Sequence, residues 1–182
     1  MTLIETGFEG LLILEPKVYE DSRGYFMESY NKDVFHDLGI TNDWVQDNQS
    51  KSSRGVVRGL HYQLNPKSQA KLIRVIEGTI YDVALDLRKE SKTFGKYFGL
   101  ELSSENKKQF LVPHGFAHGF SVLSKTAIVL YKCDELYSPL HERGINPMDK
   151  SLDIHWNIEK DEMILSEKDL KNPSFKDSEY NF

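Results

Sequence analysis

Short apolar runs separated by turn residues occupy most of the chain from Gly7 to Trp156. Residues 11–14 are four consecutive aliphatic side chains closed by Pro16, and residues 24–30 alternate in character over the length of a strand. Further strands are expected at 97–102, 109–112, 118–123 and 127–133. Many short strands with turn residues between them predict a mainly β protein, an antiparallel β-sandwich or small barrel.

The segment 72–87 predicts two strands joined by a turn at Glu77, Gly78 and Thr79, since glycine adopts the backbone angles of a tight turn without strain. In the second of these strands the side chains alternate between two faces, as the period of a strand requires. One face carries Tyr81, Val83, Leu85 and Leu87, and the other carries Ile80, Asp82, Ala84 and Asp86.

Helical patterns are few. Asn31 precedes an apolar stripe that ends at Gly39, which predicts a short helix with an asparagine N-cap and a C-terminal glycine. Residues 166–170 resemble the first turn of another helix, shortly before Asn172 and Pro173. The chain has no internal repeat and no composition shift typical of a linker, so we expect one domain spanning residues 1–182.

Composition narrows the function classes. The 182 residues include 23 basic and 28 acidic side chains, a net charge of −5, which disfavours a general nucleic-acid binder. A single cysteine, Cys133, excludes an internal disulfide framework and is consistent with a reducing compartment. The N-terminus lacks a signal-peptide pattern and no apolar stretch approaches the roughly 20 residues of a membrane span. We therefore expect a soluble cytoplasmic protein with no membrane partner.

Two segments resemble the paired motifs of the cupin fold. The first is the stretch 55–63, which places a glycine six positions before His61, and the second is the stretch 113–120, with its Pro-x-Gly-x-x-His spacing ending at His118. Gln63 stands where a cupin has its second metal-binding histidine, and Lys71 stands where it has its glutamate. The resemblance implies a cupin-type antiparallel β-sandwich or barrel, a jelly roll, with a few short helices.

The two replaced ligands change the expected chemistry. An ammonium donates hydrogen bonds and repels a cation, so Lys71 opposes metal binding and suits a developing oxyanion instead. We predict no metal and no cofactor. A zinc site at His114 and His118 would need a helix between them, whereas Pro113 and Gly115 favour a turn that enters a strand. Taken singly, each histidine of the two cupin-like motifs suits an ordinary strand or turn position better than a reactive site; their joint spacing is what favours a site.

Further segments make the resemblance specific. The chain is similar to the dTDP-4-dehydrorhamnose 3,5-epimerase family, in matching segments that lie in sequential order over about nine-tenths of its length. They are residues 21–28, 46–50, 58–63, 71, 113–120, 131–132, 137–139, 142–146, 149, 154–156 and 165–169. The family inverts C3 and C5 of a dTDP-linked 4-keto-6-deoxyhexose, in the synthesis of dTDP-L-rhamnose for cell-surface polysaccharide.

The resemblance implies roles for individual residues. His61 would be the proton acceptor and Tyr131 the proton donor, with Asp169 orienting His61 and Lys71 stabilising an enolate. Further residues would contact substrate: Arg23, Phe26, Glu28, Gln46, Asp47, Asn48, Arg58, Lys71, His118, Tyr137, Glu142 and Lys168. Phe26 and Tyr137 would stack on the thymine. Family members are homodimers with exchanged N-terminal strands, so Arg23 and Phe26 would serve the neighbouring subunit.

Other interpretations remain open from the residues alone. Asp169 lies three residues after Ser166, a spacing that also suits a helix start, and Tyr131 shares a strand face with Ala127 and Val129 as core packing would. At the level of function, the alternatives are an epimerase acting on one carbon or on another nucleotide's ketosugar, a metal-dependent cupin enzyme, and a non-catalytic sugar-binding barrel.

Overall fold

The computed structural model describes every residue from Met1 to Phe182. It contains thirteen strands, two short α-helices and one turn of 3-10 helix at Lys160–Glu162. The strands are β1 (Thr2–Glu5), β2 (Leu12–Glu15), β3 (Val18–Asp21), β4 (Gly24–Met27), β5 (Gln46–Ser53), β6 (Val57–Gln63), β7 (Lys71–Glu77), β8 (Thr79–Asp86), β9 (Tyr97–Ser103), β10 (Gln109–Val112), β11 (Phe116–Val122), β12 (Thr126–Cys133) and β13 (Glu142–Gly144). The helices are α1 (Lys32–Asp37) and α2 (Glu167–Leu170).

Two antiparallel sheets face each other as a sandwich. The six-stranded sheet has the order β1-β2-β10-β7-β12-β5, and the five-stranded sheet has the order β13-β6-β11-β8-β9. Strands β3 and β4 pair only with each other and form a separate hairpin. The predicted mainly β sandwich with few helices is therefore confirmed. No helix in the structure has the length and hydropathy needed to cross a bilayer.

The predicted turn at Gly78 separates β7 from β8, as expected. Gly78 has a φ of +82°, and a Cβ there would collide with the carbonyl oxygen of Thr126. The expected strand at 24–30 is shorter than predicted, because β4 ends at Met27 opposite Val18. Pro16 lies just before the start of β3 and has no N–H to extend the ladder, so the hairpin has no further partner for residues 28–30.

Strand β5 was not predicted. Its sequence, Gln-Asp-Asn-Gln-Ser-Lys-Ser-Ser, contains no apolar residue and so lacks the alternation that identifies a half-buried strand. It lies at the edge of the six-stranded sheet and pairs along its whole length with β12. Its strand state therefore depends on pairing with a distant segment rather than on local propensity.

Apolar side chains pack in three layers. The space between the sheets is filled by a cluster that includes Ile73, Val75, Ala84 and Phe110. Both expected faces of β8 are confirmed, since Ile80 and Ala84 join this cluster while Val83 and Leu85 join a second one. In the second cluster, on the outside of the five-stranded sheet, the C-terminal residues Trp156, Phe175, Tyr180 and Phe182 cover the strands.

Both helices begin at the expected caps. The Asn31 side chain accepts hydrogen bonds from the backbone N–H groups of Asp33 and Val34 at the start of α1. Phe35 on α1 is buried in a third apolar cluster, on the outside of the six-stranded sheet. Ser166 Oγ accepts a hydrogen bond of 3.0 Å from the backbone N–H of Asp169 at the start of α2. This cap places the Asp169 side chain against β6.

Candidate active site

A cavity of about 380 Å³ opens between the two sheets at one end of the sandwich. It forms where inward-facing positions change from apolar to polar. Along β12 the change runs from Val129 to Tyr131, and along β7 it runs from Ile73 to Lys71. The lining residues are Gln46, Asn48, Gln49, Ser50, Arg58, His61, Tyr62, Gln63, Gln69, Lys71, His118, Gly119, Phe120, Tyr131, Tyr137 and Glu142. A polar cavity of this size suits a small polar ligand.

His61 projects into the cavity from β6 and is held from behind by Asp169. Its Nε2 lies 2.6 Å from Asp169 Oδ1, and the Asp169 side chain is only 6% exposed. Burial opposes ionisation of Asp169, but hydrogen bonds from His61 and Ser166 hold its pKa below the usual range. An ionised Asp169 accepts a hydrogen bond from the Nε2–H group of His61. The neutral imidazole then keeps its lone pair on Nδ1. This arrangement fixes the tautomer of His61 and leaves Nδ1 able to accept a proton.

Tyr131 lies on the opposite wall, on β12 of the six-stranded sheet. Tyr131 lies on the same inward strand face as Ala127 and Val129, and its side chain packs against the core cluster that contains them. Burial raises the pKa of the Tyr131 phenol, and Arg58 weakly opposes this shift. Tyr131 is therefore protonated at neutral pH and can donate a proton from the wall that faces His61.

Lys71 forms part of the cavity floor. It is 9% exposed, and its Nζ donates a 3.2 Å hydrogen bond to the His61 carbonyl oxygen. Burial lowers the pKa of the Lys71 ammonium, while the acidic groups of Cys133, Asp82 and Glu142 oppose this shift. An ammonium with a single protein acceptor at the cavity surface can donate further hydrogen bonds to a ligand oxygen.

His118 is the directly paired residue opposite His61 on the neighbouring strand. Its Nε2 donates a 2.8 Å hydrogen bond to Oδ1 of Asp82, which is fully buried on β8. From the sequence, Asp82 is only one member of a strand face. The feature that could have pointed to a buried partner is an acidic residue between the apolar Ile80 and Ala84 on that face.

Polar contacts hold the side chains of the cavity wall at two further places. Arg58 Nε donates a 3.0 Å hydrogen bond to Ser52 Oγ across the two sheets, an anchoring residue that sequence reasoning missed. Glu142 Oε2 accepts hydrogen bonds from Lys168 Nζ at 2.8 Å and from the Tyr137 hydroxyl at 3.0 Å. Burial opposes ionisation of Glu142, but these contacts hold its pKa below the usual range.

Several candidate residues lie outside the cavity of their own chain. Arg23, Phe26 and Glu28 belong to the β3–β4 hairpin or follow it directly, and Phe26 is 69% exposed. The Asp47 side chain points to the outer face of the six-stranded sheet, where it pairs with Lys132 at 2.9 Å. The structure thus brings together the expected residues of β5 other than Asp47, and those of β6, β7, β11 and β12, but not those of the hairpin.

His114 and His118 do not share a site. β11 begins at Phe116, so the segment between them is a turn entering a strand, as expected. His114 Nε2 pairs with Asp134 at 2.8 Å on the outside, whereas His118 points to the buried Asp82. No three His, Cys, Asp or Glu side chains form a group able to hold a metal ion.

Known proteins resemble this chain over nearly its whole length. The family model for dTDP-4-dehydrorhamnose 3,5-epimerase matches residues 5–177. A dTDP-4-dehydrorhamnose 3,5-epimerase from Shigella flexneri is 50% identical over 181 residues, covering 99% of each chain. The crystal structure of the enzyme of that name from Elizabethkingia anophelis is 53% identical and superposes with a TM-score of 0.93, covering 97% of each chain.

A third relative was solved with a ligand. The structure of a dTDP-6-deoxy-D-glucose-3,5-epimerase from Legionella pneumophila, in complex with dTDP-4-keto-L-rhamnose, is 45% identical with a TM-score of 0.91. The superposition covers 96% of this chain and 93% of the Legionella chain. With this agreement in sequence and fold, the chain belongs to the dTDP-4-dehydrorhamnose 3,5-epimerase family.

Proposed function

We propose that the protein converts dTDP-4-dehydro-6-deoxy-D-glucose to dTDP-4-dehydro-L-rhamnose by inverting C3 and C5, a step of dTDP-L-rhamnose biosynthesis. Family membership supports the reaction class, and the Legionella relative holds dTDP-4-keto-L-rhamnose. The observation that carries the proposal is the placement of His61 and Tyr131 on opposite walls of one cavity, with Lys71 in its floor.

The geometry supplies what the chemistry requires. A C4 ketone acidifies the C–H bonds at C3 and C5, because either carbanion is delocalised as an enolate. Inversion then needs a base on one face of the ring and an acid on the other. His61 Nδ1 takes the proton, Tyr131 returns one to the opposite face, and Lys71 donates to the enolate oxygen. One preorganised donor of this kind stabilises a transition state by about 3 kcal/mol.

Further polar residues of the cavity suit the nucleotide. Arg58, held by Ser52, presents a guanidinium that can donate paired hydrogen bonds to the diphosphate. Gln46 and Asn48 on β5, together with Tyr137, Glu142 and Lys168 at the rim, would complete the contacts. Tyr137 is half exposed and so has a free ring face for the thymine.

The hairpin supports a homodimer. An isolated two-stranded hairpin is marginally stable, yet β3–β4 carries Tyr19, Tyr25 and Phe26 with more than half of each side chain exposed. We propose that it packs on a second copy of the chain and brings Arg23 and Phe26, with Glu28, to that copy's cavity. The Asp47 side chain lies on the outer sheet face, so Asp47 would contact the substrate through its backbone.

Mixing two variants tests whether the hairpin crosses to the partner subunit. Arg23→Ala and His61→Asn homodimers should each be inactive, but a mixed dimer holds one complete site if the hairpin crosses over. Statistical re-pairing would restore about a quarter of wild-type activity. No recovery after re-pairing, with dimers confirmed by analytical ultracentrifugation, would show that each hairpin serves its own chain.

The reaction is tested with the dTDP-linked ketosugar in deuterated water without added metal, followed by proton NMR. Deuterium at both C3 and C5 of the product is expected. Deuterium at one carbon would indicate a single-carbon epimerase, activity only with added divalent metal would indicate a metal-dependent cupin enzyme, and binding without exchange would indicate a sugar-binding barrel.

Two variants test the residue roles. His61→Asn should abolish exchange at both carbons while dTDP binding survives, and Tyr131→Phe should allow exchange without inversion. Full activity in both variants would show that the roles are wrong.

We also propose a cytoplasmic location, because Cys133 is a free buried thiol of the kind found in reducing compartments.

A further inference from the structure

Three buried ionisable side chains meet at the cavity floor, and one of them does not border the cavity. Lys71 and His118 line it and are 9% and 6% exposed, whereas Asp82 lies behind them and is fully buried. Lys71 belongs to the six-stranded sheet, and the other two residues belong to the five-stranded sheet. The contact between the sheets therefore brings one buried acid close to two cations or potential cations.

Asp82 is only partly satisfied by hydrogen bonds. Oδ1 accepts the 2.8 Å bond from His118 Nε2, but Oδ2 is buried and has no hydrogen-bond partner. The neighbouring residues on its strand face, Ile80 and Ala84, belong to the apolar core. An amide could accept the same bond from His118 without burying a charge. The property that distinguishes a carboxylate at this position is its negative charge.

The fold brings this charge to the Lys71 end of the cavity. Lys71 Nζ reaches the five-stranded sheet at the His61 carbonyl oxygen, and His61 is directly paired with His118, whose ring binds Asp82. Burial raises the pKa of Asp82, while His118 and Lys71 oppose the shift. Burial lowers the pKa of Lys71, and Asp82 is one of the groups that oppose it. The attraction between a carboxylate and an ammonium favours the charged form of both groups, and so opposes the effect of burial on each.

We propose that Asp82 is a positioning residue for the enolate-stabilising end of the cavity. Its Oδ1 holds the His118 ring by Nε2, which leaves Nδ1 free for the substrate, and its negative charge favours the ammonium form of Lys71. The inference rests on the proposed function, because it assigns Lys71 to an enolate oxygen. Both donors would then be oriented before charge develops at the C4 oxygen.

Lys71 has other ionisable neighbours, which a test must separate from Asp82. They are Cys133 and Tyr131 on β12, Glu142 on β13, His61 and Arg58 on β6, and His118 on β11. Asp82→Asn leaves all of these side chains in place and keeps both the side-chain shape and an oxygen for His118 Nε2. It removes the charge, which acts on His118 as well as on Lys71.

The expected effect appears in the pH profile of kcat. Lys71 must be protonated, so activity is lost as pH rises through its pKa. Removing the Asp82 charge lowers that pKa, and the alkaline limb should move down by about one pH unit, so that kcat is about tenfold lower at pH values above both limbs while KM stays within about twofold. Asp82→Glu, which restores the charge, should return the limb towards its wild-type position.

Asp86 is a matched control on the same strand and face. It is also fully buried, but Arg88, Ser91 and Thr93 satisfy its carboxylate and it does not line the cavity. Asp86→Asn should lower the melting temperature and leave the alkaline limb unchanged. An equal shift of the limb in this variant would assign the effect to general destabilisation and overturn the proposal.

A double-mutant cycle with Lys71→Met completes the test. If Asp82 acts mainly through Lys71, Asp82→Asn should change the deuterium exchange rate by less than about twofold in the Lys71→Met background. Multiplicative effects, or an unmoved alkaline limb in a folded Asp82→Asn protein, would overturn the proposal while wild-type turnover upholds the proposed function. A wild-type protein that incorporates no deuterium would overturn both.

Discussion

Removing the charge of Asp169 is the most direct perturbation of the proposed base. Asp169→Asn keeps the side-chain shape and leaves the α2 cap intact, because Ser166 Oγ binds the backbone N–H of Asp169 and not its carboxylate. What disappears is the negative charge on the acceptor of the 2.6 Å hydrogen bond from His61 Nε2, and with it the added strength that this bond gains as His61 becomes an imidazolium.

The size of the effect follows from this contact. A hydrogen bond to a charged group contributes about 1.5–3 kcal/mol, and about 1.4 kcal/mol corresponds to a factor of ten in rate. The amide still accepts a hydrogen bond, and the His61 side chain is 34% exposed so that water screens the lost charge; the lower half of this range therefore applies. We expect kcat to fall roughly 10- to 50-fold, with exchange at C3 and C5 slowed together.

Proton NMR of the ketosugar in deuterated water measures both exchange rates, and calorimetry with dTDP checks that the nucleotide still binds. Glu167→Gln is the matched control, since Glu167 is on the same helix, is 89% exposed and pairs only with Lys171. If Asp169→Asn slows exchange less than about threefold at saturating substrate, Asp169 does not act through His61.

Three further results are expected. Lys71→Ala should lower kcat about 100-fold and change dTDP affinity little, because its contact strengthens as the enolate forms; an equal loss in both would contradict this. The hydrogen bond to Asp134 raises the pKa of His114, so the pair stabilises the fold below about pH 6.5 and this contribution is lost as pH rises through the raised pKa. His114→Gln should therefore lower the melting temperature more at pH 6 than at pH 8. Ser166→Ala should reduce the free energy of unfolding by about 1 kcal/mol in urea denaturation, through loss of the α2 cap.

Local patterns in the sequence were enough for much of the fold. The turn at Gly78, the alternation of β8 and the caps of α1 and α2 each depend on neighbours within a few residues, and the structure confirms all of them. The resemblance to a family also indicated which residues to seek around the cavity. Such features are predictable because backbone strain, capping and strand periodicity act over short stretches of chain.

Only the tertiary structure decided how these pieces form a site. The polar strand β5 exists because it pairs with β12, and its inward side chains face a cavity rather than a core. His61 meets Asp169 across 108 positions of sequence, and His118 meets Asp82 across 36. A lone acid in a strand pattern does not reveal its partner, since the energy of a buried charge depends on groups that folding brings close in space.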